Sequence, residues 1–444
     1  MPLTLHERQA FIRRCDPNEP LAAGDPAYVP LDQGASVRGS DGLSCIDELE
    51  RTILFSDPAH PTCQLFTGFA GAGKTTELRI LRERLGANKD VSTHAVMIDF
   101  ESYIDVFRPI SITDVLRVLA YVLDREATIE ENGDPDKRPG YAKRLFDFIT
   151  RTDLQIKEIG FEEYGASFML ELKNNPTFHK RAEEALSLRF QQFAKEANEA
   201  MAAAVVRLRK ATGAQRVVVI ADGLEKLTPV TETERKSVEA SVETVFVQHA
   251  SWLRLPCDAI YTYPLWLRFR TAVLGPLYDQ EPPTLPMVRI AEPGGAPYPA
   301  GVAKLVDLVS RRVEVRRVFA EPLDGTLGEI IRASGGYPRD LLRMVRDVLM
   351  QSSSFPAPPE VCRRTIDKLA EAYSRIIREP DVALLIDVAR THSLPHGDDE
   401  RMNAFGALLG KWLILTYRNG HEWYDLHPLV RRVPAVWQSL SKTP

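Results

Sequence analysis

Apolar residues along the chain follow two alternating patterns. Short continuous runs occur at Gln64-Leu65-Phe66, at 94–100, at 216–221, at 258–263 and at 284–290. Bounded by turn residues and too short for helices, they predict strands. The run Val217-Val218-Val219-Ile220-Ala221 has no polar alternation, which predicts a central parallel strand buried on both faces. Between the runs the spacing is helical: Ile46, Leu49, Ile53 and Leu54; then 77–85; a helix that Ser111 or Thr113 would cap and that runs to Leu123; and 237–250. Strands alternating with helices predict an α/β sheet.

From residue 300 the pattern is helical throughout: 302–319, 327–333, 341–350 and 362–377, with a Ser/Pro linker at 352–359. Two further helices, 382–391 and 402–412, precede strands at 413–417 and 422–426. The turn Asn419-Gly420 joins those strands, the order expected of a small winged helix. The would-be recognition helix carries only Arg401 and Lys411 among apolar residues, which favours packing over DNA contact, since phosphate neutralisation needs clustered cations. Residues 141–212 are mostly helical. A minimal crossover needs one helix, so 125–185 is expected to be a helical insertion. Residues 1–35, a short amphipathic helix and a Pro/Gly-punctuated segment, are expected to be an arm packed on something else. The expected divisions are the arm 1–35, a core 36–295, a helical lid 296–378 and the winged helix 379–444.

The chemistry centres on Gly68-Phe69-Ala70-Gly71-Ala72-Gly73-Lys74-Thr75-Thr76, which fits G-x-x-x-x-G-K-[ST] between a strand and a helix. Gly68, Gly71 and Gly73 let the backbone wrap, so that its N–H groups and the helix N-terminus face phosphates. Lys74 would reach the β and γ phosphates, and the Thr75 hydroxyl would ligate Mg²⁺. The competing reading is a chance glycine turn. Asp222 ends the central strand where a P-loop fold holds its metal, although an Asp there also caps helices. Glu225 would polarise the attacking water, or be a solvated surface carboxylate, and Glu101 is the next candidate for that role. Thr262, with Arg268 or Arg270, could sense the γ-phosphate, or simply mark a strand reaching the surface.

Composition narrows the setting. With 444 residues, 44% hydrophobic and 26% charged, the chain reads as a globular protein of two to four domains. A net charge of −5 argues against broad coating of nucleic acid. Five cysteines are scattered without metal-ligand spacing, and no apolar stretch is long enough to span a bilayer. A cytoplasmic protein with no membrane contact is expected.

In this order, the elements resemble the STAND class of signalling ATPases, cousins of the AAA+ and origin-recognition ATPases. The resemblance covers about residues 36–435, apart from the insertion. Gly68 to Thr75, with Thr76 beside it, matches the family Walker A, and Val217 to Glu225 its Walker B. It implies that Arg38, in the segment Val37-Arg38-Gly39 upstream of the P-loop, lies where many ATPases touch adenine. Gly336-Tyr337-Pro338 matches the G-x-P motif of the lid, whose proline lines the nucleotide pocket. Arg339 follows where origin-type relatives place a phosphate-sensing arginine. Asp425-Leu426-His427-Pro428 is similar to the Met-His-Asp segment of the winged helix, which implies that His427 contacts the β-phosphate of ADP, with proline here in place of the aspartate; the competing reading is an ordinary packed histidine.

The expected fold is therefore an ASCE/AAA+-like P-loop NTPase: a parallel sheet with a helical insertion, a helical lid and a C-terminal winged helix. The expected function is an ATP-binding and hydrolysing regulatory switch using ATP/ADP and Mg²⁺, with another protein or a self-oligomer as partner. The alternative is a DNA-associated ATPase of the origin-recognition or transposition-regulator type. A metabolic kinase is disfavoured, because no acceptor site is visible.

Overall fold

The computed structural model describes residues 3–32, 37–39, 43–138, 140–152, 165–227 and 232–441. The end of the expected arm, Ser40 and Asp41, and the middle of the expected insertion lie outside them. In chain order the first half comprises α1 (Leu5–Arg14), α2 (Cys45–Phe55), β1 (Cys63–Gly68), α3 (Lys74–Ala87), β2 (Thr93–Asp99) and α4 (Ile112–Glu130). There follow α5 (Tyr141–Thr152), α6 (Ala166–Asn174), α7 (Pro176–Leu188), α8 (Phe190–Thr212), β3 (Arg216–Asp222) and α9 (Glu232–Glu243). Then come β4 (Asp258–Thr262), α10 (Leu274–Leu277) and β5 (Thr284–Leu285). The helical part holds α11 (Pro299–Ser310), α12 (Val315–Val318), α13 (Leu327–Ser334), α14 (Pro338–Gln351) and α15 (Pro359–Ser374). The chain closes with α16 (Glu379–Thr391), α17 (Asp399–Gly410), the hairpin β6 (Ile414–Asn419) and β7 (His421–Leu426), and α18 (Pro434–Ser441).

The first five strands form one sheet in the order β2-β3-β4-β1-β5, every pair parallel. This is the P-loop NTPase fold, with the Walker A strand β1 separated from the Walker B strand β3 by β4. Parallel register puts the carboxyl ends side by side: Asp99 pairs with Asp222, and Phe66 with Thr262. The site of an open α/β sheet lies at that edge.

Side-chain alternation along the strands divides the core in two. Val217, Val219, Ala221, Leu65 and Tyr261 face one cluster, completed by α4 and by α5–α8. Val218, Ile220, Phe66 and Ile260 face another, which runs continuously through the arm, α11–α15 and the winged helix. All nine are fully buried, and burying each aliphatic side chain contributes ~1.5–3 kcal/mol. The helices between β2 and β3, with α9 and residues 245–278, therefore cover that face of the sheet, and α4 and α8 pack side by side.

Several element boundaries differ from the sequence reading, among them α9, which ends at Glu243 and not at 250, and three of them have a clear physical cause. Ser111 caps α4 through a capping box with Asp114, and the helix continues to Glu130 because its apolar face is covered along its length. The helix expected over 302–319 is two, α11 and α12, separated at 311–314. The strand expected over 284–290 stops at Leu285, because its later N–H groups are divided among three elements. Met287 donates to Thr416 O (2.9 Å), Val288 to Gly336 O (3.2 Å) and Arg289 to Val37 O (2.8 Å). Gly336 is required there: a Cβ would run into the Val288 carbonyl, and its φ is +79°. Among the described residues, no helix is long and apolar enough to cross a membrane.

Candidate functional site

At the carboxyl edge of the sheet a cleft of about 2340 Å³ opens between the P-loop, the arm, the lid helices and the winged helix. This exceeds the ~300–1,000 Å³ of a typical ligand pocket, so a nucleotide would fill part of it.

The P-loop forms as its sequence dictates. Gly71 and Gly73 take φ of +84° and +106°, and α3 begins at Lys74 with no side chain capping its first turn, leaving backbone N–H groups at the cleft. Lys74 is nearly fully buried. Its Nζ donates to Gly68 O (3.0 Å) and Phe69 O (3.1 Å) and pairs with Glu225 Oε1 at 3.2 Å. The loop carbonyls and Glu225 thus hold the ammonium against the P-loop.

The strand ends supply the carboxylates. Thr75 Oγ1 donates to Asp222 Oδ2 at 2.7 Å, while Asp222 Oδ1 is buried with no partner. A hydroxyl beside a carboxylate with one orphaned oxygen is a donor set that fits a hard divalent cation. Burial, and secondly the charge of Glu225, push the Asp222 carboxyl up to about 6. Burial is the largest single influence on Glu225 and works the same way, but Lys74, Thr262 and a backbone hydrogen bond together outweigh it. With a hydrogen bond from Thr262, Lys74 keeps the Glu225 carboxyl below the ordinary range. The two carboxylates are therefore driven apart, one toward the neutral form and one held ionised. Glu101 lines the cleft but is engaged with Lys226 at 2.5 Å.

The flanks differ from the sequence reading at several residues. Arg38 lines the cleft but is turned beneath the P-loop: Nη2 donates to Ala72 O (2.7 Å), and Nη1 lies 3.9 Å from Glu77. Thr76 accepts from Leu21 N at 3.2 Å, and Arg79 donates to Pro20 O at 2.7 Å, so the arm is tied to α3. Its residues 16–31 form a wall of the cleft that sequence spacing had not marked. Arg268 pairs with Glu422 of β7 (2.7 Å) and Arg270 with Glu239 (2.7 Å), and neither lines the cleft.

The lid reaches the loop directly. Tyr337 donates its hydroxyl to Ala70 O, and Pro338 and Arg339 line the cleft. A Cβ on Gly71 would collide with the Arg339 side chain, whose Nε is buried without a partner. The glycine at 71 is what lets this guanidinium lie across the P-loop.

His427 is elsewhere. It is fully buried between the winged helix and the lid. Nδ1 accepts from Leu429 N (3.2 Å), Nε2 lies 3.3 Å from Asp340 Oδ2, and the ring stacks on Tyr373 at 4.5 Å. It is not part of the cleft wall. Pro428 packs against Gly335 and continues this apolar interface, so the imidazole faces a lid carboxylate instead of a phosphate site. The winged helix enters the cleft through different residues, Gly410 and Trp412, at the end of α17. A bulky residue just past a helix end with φ of +59° is the signal that marks Trp412, and it belongs to the structure, not to the sequence.

No family model and no curated protein matches the chain. Among solved structures, it is similar to a Walker-type ATPase of Pyrococcus abyssi (15% identity, TM-score 0.37, covering 89% of this chain and 97% of that one). It is also similar to the Aeropyrum pernix Orc1 protein in complex with DNA (13%, 0.36, 93% and 95%). A third likeness is to the Drosophila ORC bound to DNA (12%, 0.36, 100% and 94%). At these scores the fold assignment rests on the chain's own strand order and P-loop.

Proposed function

We propose that the chain is an ATP-binding and hydrolysing regulatory switch of the STAND or AAA+ kind, whose nucleotide state controls conformation and the binding of a partner protein or a second copy. The observation that carries this reading is the composition of one cleft wall: P-loop, strand-end carboxylates, lid residues Pro338 and Arg339, and winged-helix residues Gly410 and Trp412. A nucleotide there lies in a cleft that all of these parts wall. We take 36–295 as the nucleotide-binding core, 1–35 as its strap, 296–378 as the lid and 379–444 as the movable winged helix.

In this reading Gly68, Gly71, Gly73 and Thr76 shape the cradle, and Lys74 exchanges its loop carbonyls for β and γ phosphate oxygens. Thr75 and Asp222 hold Mg²⁺, which neutralises phosphate charge when bound. Glu225, kept ionised beside Lys74, orients and deprotonates the attacking water. Arg339, already across the loop, adds a cation from the lid, and Arg38 supports the loop from beneath. Because His427 contacts Asp340, its part in the switch is to hold winged helix and lid together.

The second reading, a DNA-associated ATPase of the origin-recognition type, draws on the winged helix and Arg339. Against it, α17 buries Phe405, Gly406 and Leu408, with Phe405 edge-on to Phe269 at 5.1 Å, and its Arg401 is paired with Asp387 at 2.6 Å. Identifying the nucleotide in the purified protein, together with its mass in ADP and in ATP, tests the first reading. A protein that carries none and keeps one mass in both contradicts it. Binding to duplex DNA that falls steeply with salt would favour the second.

A further inference from the structure

Away from the cleft, at the amino end of the edge strand β2, three side chains able to ligate a metal meet. His94 shares a strand face with Val96 and Ile98, which pack into the core cluster built on α4. Along α4, Leu116, Leu119 and Leu123 recur at spacings of three and four and are fully buried. The same spacing next reaches Glu126 and Glu130, two half-buried carboxylates where the stripe calls for apolar residues. One ring nitrogen of His94 and one carboxylate oxygen of each glutamate all lie within 4.8 Å of one another. His94 Nε2 is buried and, among the described residues, makes no hydrogen bond; Glu126 Oε1 stands 3.7 Å away. Glu126 and Glu130, one helical turn apart and drawn to the same point, repel each other when ionised. An ion pair accounts for His94 and Glu126, but not for a second carboxylate beside them. His94, with Arg82 and Arg125 behind it, holds the Glu126 carboxyl below its ordinary range, so it is ionised at neutral pH. Of those arginines, Arg125 is paired with Asp136 at 2.6 Å and Arg82 lines the nucleotide cleft.

We propose that His94, Glu126 and Glu130 bind a transition-metal dication of the Zn²⁺ kind, which fastens the edge strand β2 to α4. The site is separate from the place where Thr75 and Asp222 would hold Mg²⁺. His94 lies five residues before Asp99, the partner of Asp222, which is about 16 Å along a strand at ~3.3 Å per residue. The imidazole selects the ion: Mg²⁺ and Ca²⁺ take oxygen ligands, whereas Zn²⁺ accepts His nitrogen and carboxylate oxygen together. With ligands at about 2.1 Å, the donors of a tetrahedral Zn²⁺ site stand about 3.4 Å apart. The present spread of up to 4.8 Å is closed by rotating two glutamate side chains and one imidazole. Three protein ligands leave a fourth position for water. Because the three donors come together only when strand and helix are packed, the ion stabilises the folded arrangement.

The test titrates zinc chloride calorimetrically into the full chain carrying Asp222→Asn, which takes the carboxylate of the nucleotide site out of the count. One Zn²⁺ per chain is expected, with a higher melting temperature in its presence. In the same background, His94→Ala and Glu130→Gln should each weaken Zn²⁺ binding at least tenfold and remove most of the rise in melting temperature. Absence of Zn²⁺ binding, or an affinity unchanged by His94→Ala, overturns the proposal, and neither result bears on the nucleotide reading. Should His94→Ala not fold by thermal melting, Glu130→Gln decides alone, and an unchanged affinity there overturns the proposal equally.

Discussion

Lys74 and His427 are both nearly inaccessible side chains that sequence resemblance assigns to phosphate, yet only one stands at the cleft. Lys74 belongs to a strand, loop and helix contiguous in sequence, so local geometry fixes where its ammonium goes. His427 depends on how the winged helix docks on the lid, and that docking is set by Gly335, Tyr373 and Asp340, which lie 54 to 92 positions earlier (427 − 373 and 427 − 335). A local motif carries its geometry with it. A motif that acts across an interface does so only if the interface matches.

Substitutions at the two residues should separate accordingly. Lys74→Ala removes the cation that the cradle positions, and nucleotide affinity and turnover should fall by ~10²–10³ or more, with some loss of melting temperature because Glu225 is left buried without its partner. Calorimetric binding that matches the wild type would move the site elsewhere. Glu225→Gln should lower hydrolysis by ~10²–10⁴ while nucleotide still binds, because the amide cannot take a proton and no longer anchors Lys74. Normal turnover in this variant would make Glu101 the carboxylate to examine.

Asp222 gives a pH signature of intermediate size. Its carboxyl is pushed up to about 6, and a cation ligand must be ionised. The Mg²⁺-dependent part of nucleotide binding should thus be complete above pH 7 and weaken as pH falls through about 6. Asp222→Asn should remove that dependence, and an unchanged profile in the variant would assign the titration to another group.

The smallest effect on nucleotide is expected at His427. His427→Ala leaves the buried Leu429 N–H without its acceptor, while Asp340 keeps the Tyr373 hydroxyl, a loss of ~1–3 kcal/mol in stability by thermal or urea unfolding. ADP and ATP affinities should change equally or not at all. A selective loss of ADP would restore the phosphate contact that the resemblance implies.

Much of the fold could be read in the sequence because parallel strands buried on both faces leave uninterrupted apolar runs, as at Val217–Ala221, and because glycines mark the P-loop. The break between α11 and α12 and the early end of β5 could not be read. The end of β5 depends on which distant carbonyls take up its N–H groups, as Gly336 and Thr416 do for Val288 and Met287, and the break at 311–314 on a local turn in which Arg312 and Val313 both donate to Val309 O. At the site, the residues of the loop and the strand ends could be read from order and spacing. The wall built by the arm and the turn at Trp412 come from tertiary packing, which leaves no period in the sequence.

The central claim is that nucleotide state decides whether the winged helix stays on the core. Amide hydrogen exchange across 399–412, compared in the Glu225→Gln protein with ADP and with ATP·Mg²⁺, tests it most directly. The account predicts slow exchange in α17 with ADP and markedly faster exchange with ATP, matched by the facing segment 265–269. Identical protection of both segments in the two nucleotide states would contradict it.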